Sequence, residues 1–486
     1  MWNKLNKSMM FIQAMFGLAF YGVMSILTRF FLEDLNYSEA DTLMVVGAFS
    51  SIGPLFSIAG GFIADKFLGA YRSLTVAQIG FTVGYCFLAF GATTSNVGFS
   101  LAAIAVISYS RGLMSPSYPG LFKRTFNTDA EFENAFSMNY SINNVGAVLG
   151  QYLYPLLIIA IGFSGGFLLS GVMAGLAMLS ILYYRKEYTE VATEFDRRPV
   201  PLKNIIAFIS LSVAMIGLVF FMFDNIEAGK NIVYIIAALA ILYFISLIFK
   251  AKKSEALRMG TVLIMIVLTI CFFVYYGQIM TSMNLVALNT MRGDLFGIIP
   301  IAPEASMAMN PFWCSIAGPI IAFVFTQLEK RNITLSTSIK VGCAFVFTAI
   351  SFGLLAFFMK NIGPSVSLTP EVFLLVHFFQ AFAEVIVGSF VVAFILSVTP
   401  KQIESFSVSL FSVAVAVSGI LGAVISTFIA LEKDQKLTQT IVQNVYGDFF
   451  IMLSELAVVM VVIAFISSFM IRKMLAAADK AEQLES

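Results

Sequence analysis

Charge is what this chain of 486 residues has little of. Asp, Glu, Lys and Arg together make up 12% of it, about half the share found in soluble domains. That shortage excludes a soluble globular protein. No nucleic acid is expected as a partner: the net charge of +1 carries no information on that point, and the basic residues lie between apolar runs as topological signals instead of forming a patch. Histidine occurs once and cysteine four times. Cys86, Cys271, Cys314 and Cys343 fall in separate apolar runs with no paired spacing, which argues against a disulfide framework and against a metal site. An intramembrane enzyme would need clustered nucleophiles or ligands, and a lone His377 with scattered cysteines does not supply them. No cofactor is implied either, since Met and Phe, 24 and 50 residues, face lipid or pack in a bilayer.

Hydrophobic residues account for 59% of the chain. Runs of roughly 18–25 apolar residues, each able to cross a ~30 Å hydrocarbon core as a helix, recur at 9–32, 42–64, 74–92, 97–119, 136–161, 164–184, 203–223, 231–249, 259–284, 310–328, 338–359, 370–397, 404–430 and 448–472. The chain is therefore an all-α integral membrane protein with fourteen spans. The first run is too long for a signal-peptide core and lacks a small-residue cleavage site, so it is read as helix 1. Cytoplasmic loops hold an excess of Lys and Arg. Lys4, Lys7, Lys66, Arg72, Lys123, Arg124, Arg185, Lys186, Arg197, Arg198, Lys250, Lys330, Arg331, Lys401, Arg472 and Lys473 share one side, while Glu33, Asp34, Glu39 and Asp41 mark the other. Both termini are thus expected in the cytoplasm.

Spans one to six, within 1–184, and nine to fourteen, within 259–486, form two six-helix bundles. Between them, 185–258 holds the polar link "RKEYTEVATEFDRRPVPLK" and two extra helices with almost no polar residues, which suits a lipid-facing pair. Two six-helix halves holding a substrate between them near the midplane is the plan of major facilitator transporters, which rock one half against the other.

Two side chains stand out, because a charge at the bilayer centre costs roughly 2.5–3.5 kcal/mol and usually faces a cavity or a partner. In "HFFQAFAEVIVGSF", His377, Gln380 and Glu384 follow one another at helical spacing and share a face. Arg111 lies inside the fourth span. Each has a structural alternative: Glu384 as a packing group bonded to neighbouring helices, Arg111 as an ion-pair partner or a stem that reaches water. Asn144, Gln278, Asn284 and Asn310 add neutral groups able to hydrogen-bond amides, with Tyr21, Tyr140 and Tyr276 as amphipathic walls.

The loop "GGFIADKFLGAYR" carries Gly61, Asp65, Lys66, Gly69 and Arg72. It reads as a latch at the cytoplasmic helix ends, and its spelling resembles that of the proton-dependent oligopeptide transporter family. "FYGV" at 20–23, "GLMSP" at 112–116, "AFSMNYSINNVGA" at 135–147, "NPFWCSIAGP" at 310–319 and "QAFAEVIVG" at 380–388 are similar to that family's motifs in helices 1, 4, 5, 7 to 8 and 10. The two inserted spans match its bacterial members, which implies a bacterial inner membrane. The resemblance implies that Glu384 contacts the amino end of a peptide, and that Asn144 and Asn310 contact its backbone. It also implies a basic residue for the carboxylate where this chain has Ser115, one turn from Arg111, so that Arg111 supplies the missing charge.

The pattern breaks in helix 1. Where the family carries Glu-x-x-Glu-Arg, this chain has Gln13, Phe16 and Gly17, none of which ionises. Met24 and Gly277 likewise stand at positions of an Arg and an acid, and Phe406-Ser407-Val408-Ser409 replaces the usual start of helix 11. Proton coupling is left to Glu384 and His377 if it exists. The leading expectation is a monomeric secondary transporter of small peptides or peptide-like amphoteric solutes, with protons as a possible second cargo. The alternatives are a carrier, importing or exporting, of a carboxylate-rich metabolite such as an organic-acid siderophore, and a receptor that binds without transport.

Overall fold

The computed structural model describes residues 3–485 except 127, 193, 334, 401, 402 and 434, and for a few others the backbone alone. Lys401 and the side chain of Asp65 lie outside the described residues. The membrane helices are α1 (Lys4–Arg29), α2 (Glu39–Ile63), α3 (Ala70–Thr93), α4 (Val97–Lys123), α5 (129–161), α6 (163–183), α7 (Leu202–Asp224), α8 (Ile226–Lys250), α9 (Lys253–Gly277), α10 (Met309–Lys330), α11 (Thr337–Lys360), α12 (Pro370–Val398), α13 (Glu404–Ser426) and α14 (Asp448–Glu485). Thirteen helices among the described residues are long and apolar enough to span a membrane. One of these breaks at Gly162, whose φ of 67° and ψ of 174° leave the helical region. Glycine alone visits that conformation at no steric cost, so α5 and α6 are separate crossings and the total is fourteen.

Several helix starts follow from single residues. Asn3, Ser38, Asn96 and Thr128 each accept a hydrogen bond from the backbone N–H three residues on, which satisfies one of the donors a helix start leaves open.

The chain divides into two compact units, Met1–Lys230 and Asn231–Ser486. In the first, α1 packs on α5 and α6, α3 on α4 and α6, and α2 on α4. The α1/α5 seam is a backbone contact: a Cβ added at Gly17 would stand 2.7 Å from the Asn143 carbonyl oxygen, and one at Gly146 would stand 2.8 Å from that of Ala14. Small residues are what allow such an approach in a membrane, where hydrophobicity does not drive helices together. Just past the end of α1, Phe30 packs edge-on against Phe167. Helix α7 rests on α4, with the Tyr109 hydroxyl 2.6 Å from Ser212 Oγ. The apolar window of α7 is only 11% buried, and that of α8 17%.

The link after α6 folds back onto this unit. Tyr188, in the short helix Arg185–Val191, is fully buried, donates to Ser8 Oγ at 2.7 Å and stacks on Tyr71. Asp196 is buried as well, and its carboxylate accepts from the Arg72 backbone N–H at 3.1 Å, capping the first turn of α3. The Arg72 guanidinium returns the contact by donating to the carbonyls of Phe195 and Arg198. Gly69, with φ of 90°, precedes α3, and a Cβ there would run into the Asp196 carboxyl.

In the second unit α9 packs on α13 and α14, α11 on α12 and α14, and α10 on α12. The side chains of Tyr243 and Phe244 in α8 lie against Phe406. Helix α14 runs well past its apolar part to Glu485. There Arg258 pairs with Asp479 and Glu482 at 2.7 Å each, and Glu485 accepts from Ser254 N and Oγ at 3.2 and 2.6 Å.

Candidate functional site

Polar side chains gather at one place in each unit. In the first, the gathering starts from a proline. Pro54 inside α2 has no N–H to offer the carbonyl one turn back, which is that of Ser50. Arg111 of α4 fills the gap, donating from Nη1 to Ser50 O at 2.8 Å, while its guanidinium lies 4.6 Å from the centre of the Phe20 ring. Gly53 makes room: a Cβ there would come within 2.7 Å of Arg111 Cδ. The charge is therefore held by a carbonyl and an aromatic face.

Arg111 lines a cavity of about 280 Å³ together with Gln13 and Phe16 of α1, Met114, Ser115, Tyr118 and Pro119 of α4, and Phe136, Asn139, Tyr140 and Asn143 of α5. Its polar wall is already ordered. Gln13 Nε2 donates to Asn143 Oδ1 at 2.9 Å. The Tyr118 hydroxyl lies 2.7 Å from Asn139 Oδ1 and 2.8 Å from Met9 O, with one proton to share between them. Arg111 is the one charged group among the lining residues.

In the second unit Glu384 of α12 is half-buried. Cys314 Sγ of α10 donates to its Oε2 at 3.3 Å and stands 3.7 Å from Asn310 Oδ1. Asn310 and Tyr276 lie within reach of the same carboxyl, yet Asn310 Nδ2, on a buried residue, meets no acceptor at hydrogen-bonding geometry. One and two turns earlier on α12, Gln380 and His377 are buried. Gln380 Nε2 reaches Met283 Sδ at 2.9 Å, while Gln380 Oε1 and His377 Nδ1 are left without partners.

The remaining expected residues fall elsewhere. Gln278 is fully buried and fully committed: its Nε2 donates to the carbonyls of Val274 and Gly422, and its Oε1 accepts from Ser282 and Ser426. It ties α9 to α13. Asn144 is buried with its Nδ2 unpartnered, and Tyr21 packs edge-on to Phe20; neither lines the 280 Å³ cavity. In the loop motif a Cβ added at Gly61 would meet Pro116 at ordinary contact distance, Lys66 is exposed, and Arg72 holds the link. Gln13, Tyr118, Asn139 and Asn143 line the cavity without having been expected to. The signal was there for two of them, because Phe136, Asn139, Tyr140 and Asn143 are spaced by three, one and three residues and form one helical face, which Asn144 misses by one position.

Fourteen crossings in two units define a multi-pass membrane protein with the major facilitator fold. A solved bacterial homologue of the human drug peptide transporters PepT1 and PepT2 matches with a TM-score of 0.85 at 22% identity, over 97% of this chain and all of that one. A transporter solved in complex with 5-aminolevulinic acid matches with a TM-score of 0.80 at 17% identity, over 96% of each chain. More particularly, the chain belongs to the POT family, whose PTR2 profile matches residues 72–473. Dipeptide and tripeptide permease B of Salmonella typhimurium is 24% identical over 427 residues, 87% of this chain and 86% of the relative. The permease B of Photorhabdus asymbiotica is 25% identical over 462 residues, 93% of each.

Proposed function

We propose that this protein carries small peptides, or amphoteric solutes of peptide character, across a bacterial cytoplasmic membrane by alternating access. Glu384 takes the substrate ammonium and Arg111 its carboxylate. Asn310, Gln380 and Tyr140 supply hydrogen bonds for the amide, with Asn144, Gln278 and Tyr21 supporting the wall behind them. One observation carries the reading: in a member of the POT family, the polar cluster described in the first unit centres on a cation, Arg111, and that in the second on an acid, Glu384, each among neutral hydrogen-bonding groups. The loop residues Gly61, Asp65, Lys66, Gly69 and Arg72 form the cytoplasmic gate, and the excess of basic residues in these loops supports cytoplasmic termini. One chain contains both charges, which supports the monomer as the transporting unit.

Gln13, Asn139 and Asn143 are neutral, so coupling to protons falls to Glu384 and His377. Counterflow in proteoliposomes tests the whole. Labelled dipeptide should exchange into vesicles loaded with dipeptide, and Arg111→Gln and Glu384→Gln should each abolish exchange while leaving size-exclusion profiles unchanged. Wild-type exchange by either variant removes that anchor, and binding without exchange by the wild type would make the protein a receptor.

A further inference from the structure

The contact between Cys314 and Glu384 is one that neither the fold nor the proposed function requires. Asn310 and Cys314 stand four residues apart on α10 and so share a face, and that face meets Glu384. The thiol has one proton and two acceptors in range, Glu384 Oε2 at 3.3 Å and Asn310 Oδ1 at 3.7 Å. Both Cys314 and Asn310 are at least nine-tenths buried, and Asn310 Nδ2, within reach of the Glu384 carboxyl, meets no acceptor at hydrogen-bonding geometry, so its donor capacity beside the carboxylate is not filled in this state. A thiol is a weak donor. It orients a carboxylate without neutralising it and gives way to an ammonium, a stronger donor that also brings the opposite charge.

We propose that Cys314 is a positioning residue that holds Glu384 for the substrate ammonium. In the empty site the S–H bonds Glu384 Oε2. When an ammonium reaches the carboxylate, the S–H turns to Asn310 Oδ1 and steadies the amide, whose Nδ2, already open, takes a carbonyl of the peptide. The exchange forms and breaks hydrogen bonds only. It rests on the reading of Glu384 as the ammonium anchor.

The S–H stretching band lies in an uncrowded part of the infrared spectrum and reports this bond directly; subtracting the spectrum of Cys314→Ala isolates it from those of the other three cysteines. In Glu384→Gln the band should move to higher frequency, as a weaker acceptor replaces the carboxylate. In the wild type it should shift on adding a dipeptide and stay put on adding its N-acetyl derivative. In transport, Cys314→Ala should raise KM for the dipeptide about fivefold with kcat retained, and Cys314→Ser, which keeps a donor, should restore it to within about twofold. A band unmoved by Glu384→Gln overturns the proposal, as does a Cys314→Ser variant no better than Cys314→Ala. A band that responds to Glu384→Gln, with dipeptide and N-acetyl dipeptide binding equally well to wild type and Glu384→Gln, would instead overturn the anchor reading.

Discussion

Adding one methyl group on a helix that need touch no substrate should cripple binding of the carboxylate. In Gly53→Ala the new Cβ would stand 2.7 Å from Arg111 Cδ, 3.2 Å from Cγ and 3.3 Å from Nε, all inside the ~3.5–4.0 Å of a normal carbon contact. Glycine to alanine in a helix interior ordinarily stabilises by about 0.5–1 kcal/mol. Here the middle of the arginine side chain must move, and its end moves with it. The bond to Ser50 O, of the charged kind worth ~1.5–3 kcal/mol, is lost together with ~0.5–1 kcal/mol of attraction to Phe20. The balance is a net loss of about 1–3.5 kcal/mol for the native placement of Arg111. A guanidinium out of place should weaken dipeptide binding roughly tenfold and leave a dipeptide amide, which lacks the carboxylate, unaffected. Calorimetric titration in detergent measures both. The decisive comparison is a double-mutant cycle: in an Arg111→Gln background, Gly53→Ala should cost nothing further. Equal losses in the two backgrounds, or wild-type affinity in Gly53→Ala alone, would refute the chain from Pro54 to Ser50 to Arg111.

Two further outcomes follow from contacts described above. Gln278→Leu removes four hydrogen bonds, three of them buried, and should lower stability by about 2–4 kcal/mol, visible as a lower Tm, while the folded fraction binds dipeptide within about twofold of wild type; selective loss of binding at an unchanged Tm would show instead that Gln278 meets the substrate. Asp196→Ala should uncap α3 at a cost of about 1–2 kcal/mol and speed deuterium exchange of amides at 70–73 and 185–198, with Asp196→Asn intermediate. Unchanged exchange there would mean that the cap contributes nothing.

The fold was legible because lipid imposes one rule on every crossing: a helix of about twenty apolar residues. Even the break between the fifth and sixth spans sits at a glycine, Gly162, in the gap between the runs 136–161 and 164–184. Two ends were misjudged for a common reason. The run 259–284 reads as one helix, yet α9 stops at Gly277 and a new helix starts at Ser282; likewise α14 continues through polar residues to Glu485. In both cases hydropathy records the depth of a residue in the bilayer and is silent on backbone continuity. Arg111 and Glu384 were visible as charges in apolar surroundings. Cys314 carries no such mark, since nothing local announces that Glu384, 70 residues on, will be its acceptor. Gln278 misled for the converse reason: its partners Gly422 and Ser426 are 144 and 148 residues away, so a polar group that looks available in the sequence is consumed by packing.

The cap on α3 has a consequence for how the protein is made. Arg72 and Asp196 are 124 residues apart, and at about 5–20 residues per second a ribosome needs roughly 6–25 s to cover that distance. Through that interval α3 is already synthesised while the carboxylate that closes its first turn is not. The early helices therefore wait for a residue that lies beyond the sixth crossing, and the first bundle is completed by the segment that leaves it. A fragment ending at Tyr184 should consequently carry an open α3 and a bare Tyr71, whereas one extended through Arg198 brings its own closure.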